Sequence, residues 1–205
     1  FFHSLFFSFP FFLSIKFFSD SNSFPIKVFS TKFSTQKFST SVFYFFIMNP
    51  PRTIYIGSDH AGFELKEILK PFIIEKKLKC LDLGAFSNDD VDYPDMAREV
   101  TEKVTEEKNS LGILICGTGI GMMMSANKRP GIRAAVCTHE LMAKMARKHN
   151  DANVLCLGSR IIGVELAKQI VTVFLETEFE NEERHKRRIE KIEKVMEKKD
   201  IDSEC

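Results

Sequence analysis

The 205-residue chain reads as an α/β protein, a parallel sheet with helices on both faces. Three observations predict this. Short apolar runs alternate with stretches of helical periodicity from Thr53 onward. LGILICG (Leu111–Gly117) is apolar throughout, as a strand buried on both faces must be. GTGIG (Gly117–Gly121) then joins that strand directly to a helix, so the chain turns a corner where a βαβ unit needs one.

The elements follow in order. TIYIGSD (Thr53–Asp59) reads as a buried strand. Ala61–Lys77 places Phe63, Leu65, Ile68, Leu69, Phe72 and Ile73 near helical spacing. KCLDLG (Lys79–Gly84) is a second strand, closed by glycine, and FSNDDVDYP (Phe86–Pro94) is a loop dense in Asp and Asn. Tyr93–Lys108 is helical and ends in a charged last turn. Leu111–Gly117 is the third strand, followed by a helix over Gly119–Lys128. Gly131–Cys137 is the fourth strand, Glu140–His149 a helix, Asn153–Ser159 the fifth strand and Gly163–Glu176 a helix. Asn181–Lys199 is a long charged helix with Ile189, Ile192, Val195 and Met196 as its apolar seam.

Composition divides the chain. Residues 1–47 hold 16 of the 21 phenylalanines and a single acidic residue, Asp20. This stretch is read as a non-domain extension, either translated non-coding sequence ahead of Met48 or a presequence rich in Ser, Thr and Lys. No stretch in it gives about 18 consecutive apolar residues, so a membrane span is not expected. Residues 48–200 form one domain of ordinary size, and residues 201–205 a tail. The net charge of +1 gives no electrostatic footprint for nucleic acid. The five cysteines have no CxxC pair and no zinc spacing. Free thiols in a reducing compartment are expected: the cytoplasm, or an organelle if residues 1–47 act as a presequence. Cys80, Cys137 and Cys156 read as small core residues.

In parallel sheets, ligands bind outside the carboxyl ends of the strands. Those ends carry Asp59 and His60, the segment Cys116–Gly121, Thr138 and His139, and Ser159 and Arg160. GTGIG offers close backbone approach and the amides of a helix start, which suits an anion; tight helix–sheet packing explains it equally. It is neither GxGxxG nor a P-loop, and the corner after the second strand, Leu83–Gly84–Ala85, brings no acid to hold a ribose. Cys116 at that corner is either a buried filler, a redox thiol, or a thiolate base beside oxyanion donors, with Thr118 adding a hydroxyl. Asp59 either caps a helix or steers His60. His149 sits where a helix end favours a cation. In ERHKRR (Glu183–Arg188), Arg184 and Arg188 lie four apart and suit either a phosphate clamp or a solvated charged face.

GSDHAGFELK, DYPDMA, GILICGTGIGMMMSANKRPGIRAAVC, RKHNDANVLCLGSRIIG and ERHKRR, in this order and spacing, resemble the type B ribose-5-phosphate isomerases, relatives of allose- and galactose-6-phosphate isomerases. The resemblance runs from about Ile54 to Lys191. It implies a Rossmann-like three-layer sandwich with a five-stranded parallel sheet and a C-terminal helix. It also implies a homodimer or dimer of dimers with the active site between subunits, and no metal or organic cofactor. The reaction implied interconverts D-ribose 5-phosphate and D-ribulose 5-phosphate, a step of the pentose phosphate pathway. By the same resemblance, Cys116 is the base, and Gly117, Thr118, Gly119, Ile120 and Gly121 hold the enediolate. His149 opens the sugar ring, with Asp59 nearby; Tyr93 and Asn150 line the sugar; His60, Arg160, Arg184 and Arg188 bind phosphate. The segment His149–Arg160 is expected from the partner subunit. The rival readings are a six-carbon 6-phosphate substrate, a non-catalytic phosphosugar- or nucleotide-binding module, and a thiol redox protein, against which stands the lack of a resolving Cys near Cys116.

Overall fold

A computed structural model describes residues 52–201, with side chains described through Lys194; residues 1–47, Met48 and Cys205 lie outside that range. Five strands form one sheet: β1 (Thr53–Ser58), β2 (Lys79–Asp82), β3 (Ser110–Cys116), β4 (Ala134–Val136) and β5 (Val154–Gly158). Their order is β2-β1-β3-β5-β4, and the pairings are all parallel. Six helices join them: α1 (Phe63–Glu75), α2 (Tyr93–Glu106), α3 (Ile120–Ala126), α4 (Glu140–Asn150), α5 (Val164–Glu176) and α6 (Glu183–Ile201). A 3₁₀ turn, His60–Gly62, precedes α1.

The two-residue period of a strand sorts its side chains between the faces. Ile54, Ile56, Ile113, Ile115, Leu155 and Leu157 pack with Leu65, Leu69 and Ile73 of α1, Ala143 and Ala146 of α4, and Ile170 and Phe174 of α5. Tyr55, Leu114, Cys116, Val154 and Cys156 point the other way, onto Ala97, Val100 and Val104 of α2 and Met122 and Ala126 of α3. Both faces are therefore covered, giving the three layers expected. The central strands read as unbroken apolar runs because each side chain finds a helix above or below it.

Two sequence expectations change. The fourth strand is three residues long, where Gly131–Cys137 was expected. Gly131 takes φ of +77° and the Arg133 amide bonds the Asn153 side chain, so the run enters as a turn and pairs only from Ala134. Sequence also put no acid at the end of the second strand. In the structure β2 ends in Asp82, but Lys66 reaches both of its carboxylate oxygens at 2.6 Å, and Lys70 reaches one at 2.7 Å. The carboxylate is thereby spent on lysines and is not free for a ribose.

Candidate active site

β3 and β1 end side by side, and their exits build a corner. The Asp59 amide bonds the Ile115 carbonyl at 3.1 Å, and its buried carboxylate accepts the Gly62 amide at 2.9 Å. Asp59 thus caps the turn that starts α1, and through that turn fixes where His60 points. His60 Nδ1 lies 3.0 Å from the Asp90 carboxylate, across the loop after β2.

Cys116, the last residue of β3, is 5% exposed. Its sulfur accepts the Gly119 amide at 3.1 Å. The loop can close this tightly because Gly119 adopts φ of +79°, the left-handed region that a side chain disfavours. A Cβ there would also sit 2.9 Å from Val136. α3 starts one residue later, so its first-turn amides have no intrahelical partner. Thr118 Oγ1 accepts the Ile120 amide at 3.3 Å. The Tyr93 ring closes over Gly121 so nearly that a Cβ on Gly121 would meet it at 2.8 Å.

The exit of β5 completes the corner. The Ser159 amide bonds the Cys116 carbonyl at 2.9 Å, and the Ser159 hydroxyl lies 2.7 Å from the Ala61 carbonyl and 3.2 Å from that of Cys116. One residue thus ties three strand exits together. The Arg160 amide bonds the Gly117 carbonyl at 3.0 Å, and its side chain lies along Gly117.

Three further thiols lie among the described residues. Burial pushes Cys80 up to about 11, with the Asp82 charge adding to it. Burial pushes Cys137 up to about 12 and Cys156 well above the ordinary thiol range. They are the core fillers expected, though Cys80 is only partly buried.

A second group gathers at the opposite edge of the sheet. α4 ends at Asn150, just before β5 begins at Val154, whereas Cys116 pairs with Gly158 at the far end of β5. Four residue steps of strand, about 13 Å, separate the two levels. The His149 ring stacks on that of His185 at 4.4 Å, and its Nε2 lies 3.6 Å from Glu180. Arg184 pairs with Glu182 at 2.6 Å, and Arg188 is exposed one turn further along α6. Concavities of about 470 and 290 Å³ open at this amino edge, the smaller lined by Asn150, and neither touches Cys116.

The sequence-named residues therefore divide. Asp59, His60, Tyr93, Cys116, Gly117, Thr118, Gly119, Ile120, Gly121 and Arg160 lie at the carboxyl edge. His149, Asn150, Arg184 and Arg188 lie at the amino edge. Within one chain β5 runs between His149 and Arg160, and the Arg160 side chain lies against Gly117 of its own chain. Sequence reasoning missed Ser159 as a tie, the Lys66–Asp82 pair and His185. His185 is 3% exposed within a run that reads as a solvated face; burial and the neighbouring cations hold its imidazole below the usual range.

A family model described as ribose/galactose isomerase matches residues 54–192. The chain belongs to the ribose/galactose isomerase family. It is 41% identical over 148 residues to the ribose-5-phosphate isomerase B of Escherichia coli, covering 72% of this chain and 99% of that protein. It is 47% identical over 146 residues to a probable ribose-5-phosphate isomerase B of Mycoplasma pneumoniae, covering 71% and 94%. The solved ribose-5-phosphate isomerase B of Clostridium thermocellum superposes with a TM-score of 0.70 at 46% identity, covering 71% of this chain and 98% of that one. The fold is thus the Rossmann-like one expected, and the family makes the chain an isomerase acting on sugar phosphates.

Proposed function

We propose that the chain interconverts D-ribose 5-phosphate and D-ribulose 5-phosphate through an enediolate, with Cys116 as the base. The observation that carries this reading is the Cys116 corner: a sulfur at a strand end, an amide donor aimed at it, and the first turn of α3 just after. Isomerisation needs a single base over two adjacent carbons and donors where negative charge develops. The Cys116 thiolate takes the C2 proton of the open-chain aldose. The C2–H electrons form the C1–C2 double bond, and charge moves to the C1 oxygen, facing the Gly117–Gly121 amides and Thr118. That oxygen takes a proton, the 2-hydroxyl loses its proton to become the ketone, and the same thiol returns a proton to C1. The net change moves one hydrogen from C2 to C1 and one from O2 to O1.

Phosphate gives the binding energy that holds the two carbons in place. Arg160 and His60 flank the corner from their own chain. His149, as ring opener, Asn150, Arg184 and Arg188 are assigned to the same reaction, yet they face away from Cys116 in a single subunit. We therefore assign them to the site of a second copy, in a homodimer whose active sites lie between subunits. Asp59 and Tyr93 border the sugar. The relatives named as ribose-5-phosphate isomerases support a five-carbon substrate.

Cys116→Ala should lower kcat on ribose 5-phosphate by three orders of magnitude or more, roughly the share a missing base or nucleophile removes, while substrate binding by calorimetry persists. Full turnover in that variant sinks the assignment. Comparing kcat/KM on ribose, allose and galactose phosphates decides the sugar, and a preference for a six-carbon phosphate would replace the substrate named above.

A further inference from the structure

His149, Glu180 and His185 bring two imidazoles and a carboxylate together, with one ligating atom of each within 4.8 Å of the others. Two features mark this as more than a chance cluster. His185 is buried, and its Nε2 makes no hydrogen bond. A buried polar atom left unpaired is costly, and a metal bound by His185 would satisfy it. Glu182 lies 3.9 Å from that nitrogen, too far to bond it, and is held by Arg184. Glu180, in turn, uses its oxygens separately: Lys148 holds Oε1 at 3.0 Å, while Oε2 faces His149. One oxygen can therefore ligate without releasing the lysine.

We propose that His149, Glu180 and His185 bind a divalent metal of borderline softness, zinc or one of its neighbours, and that the ion closes the isomerase site by occupying His149. Two imidazoles and one carboxylate favour zinc, cobalt and nickel over magnesium and calcium. Three protein ligands leave a position for water, as in open zinc sites. Bonds of about 2.0–2.2 Å put the ligand atoms of a tetrahedral ion roughly 3.4 Å apart, so the widest separation must contract by up to about 1.4 Å and the His149–His185 stack must tilt. His149 and Glu180 are the members that move, with side chains 38% and 29% exposed. The cations that oppose a dication here are Lys148 and Arg184, each already paired with a glutamate, and the exposed Arg188. The inhibitory half rests on the ring-opening role given to His149 above.

Cobalt(II) titrated into the metal-free full chain reports the site directly. One equivalent should give the visible bands of four-coordinate cobalt without the sulfur-to-metal charge-transfer band that Cys116 or another thiol would add. His185→Gln and Glu180→Gln, each checked for fold by circular dichroism, should weaken cobalt binding more than about a hundredfold, beyond what loss of an outer-shell partner costs. Zinc should displace the cobalt and stop turnover over the same concentrations, and a chelator should restore it. Absence of the four-coordinate spectrum, its survival in both variants, or a thiolate band overturns the site. Zinc that displaces the cobalt but leaves turnover intact overturns the inhibition. His149→Ala assayed without metal tests the ring-opening role on its own.

Discussion

Cys116 and Gly121 show how much of the corner depends on single atoms. Cys116 was legible as a candidate because a nucleophile type fell at the end of an apolar run, next to a glycine-rich turn. The left-handed Gly119 and the amide on the sulfur are the structural counterpart of that spacing. Gly121 was legible only as part of the loop; its use is to admit the Tyr93 ring. Gly121→Ala should push that ring aside, cost about 1–3 kcal/mol as overpacking does, and raise KM more than it lowers kcat. Denaturant unfolding and initial rates check both. Asp59 was read as either a cap or a partner of His60, and the bond to the Gly62 amide shows the cap. Ser159 was placed at a strand end, but its role as a tie left no pattern in the sequence; its two carbonyl contacts come from segments 98 and 43 residues away.

Among the elements, α1 shows what periodicity reveals and what it hides. Leu65, Leu69 and Ile73 define its inner stripe, and Lys66 is buried beside them, a charge on an apolar face. That was the available signal for the buried pair with Asp82. Lys66 is fully buried, its ammonium lying over the Phe63 and Phe86 rings at 5.4 and 5.5 Å. Asp82 also accepts the Gly84 amide at 3.0 Å, and Gly84 bonds through its carbonyl to the Ser58 amide. The pair therefore ties the loop after β2 to the strand end that carries Asp59. Burial works to raise the Asp82 carboxyl, but the bonds from Lys66, Lys70 and Gly84 outweigh it and hold it below its ordinary value. A lowered native value means stability present above the unfolded value, near 3.9, and lost as pH falls through the native one. Asp82→Asn should remove this part of the acid slope and, by leaving the buried Lys66 with only the half-exposed Glu67 at 3.3 Å, cost up to about 3 kcal/mol at neutral pH. Urea unfolding of both proteins from about pH 7 down to about pH 3 measures it. β4 was overread for the opposite reason: Ile132 is apolar and buried, yet it belongs to a turn.

At the scale of the whole molecule, the alternation of apolar runs and amphipathic stretches was enough for the layers and the strand count, because a parallel sheet leaves that signature in every segment. Which residues share an edge was not, since chain position alone does not say where a helix returns. Among the described residues no helix is long and apolar enough to cross a membrane. The family match covers residues 54–192, and we propose that the domain extends over residues 48–200. A chain beginning at Met48 should keep the secondary structure and specific activity of the full chain, by circular dichroism and initial rates. The separation of Cys116 from His149 by the length of β5 carries a last consequence. If every site borrows one residue from a neighbour, the two halves can be inherited from different parents. Cys116→Ala and His149→Ala, each inert alone, should complement when their subunits are exchanged. Random pairing makes half of the dimers hybrid, each with one intact site and one doubly broken site. An equal mixture should therefore recover about a quarter of the parental rate.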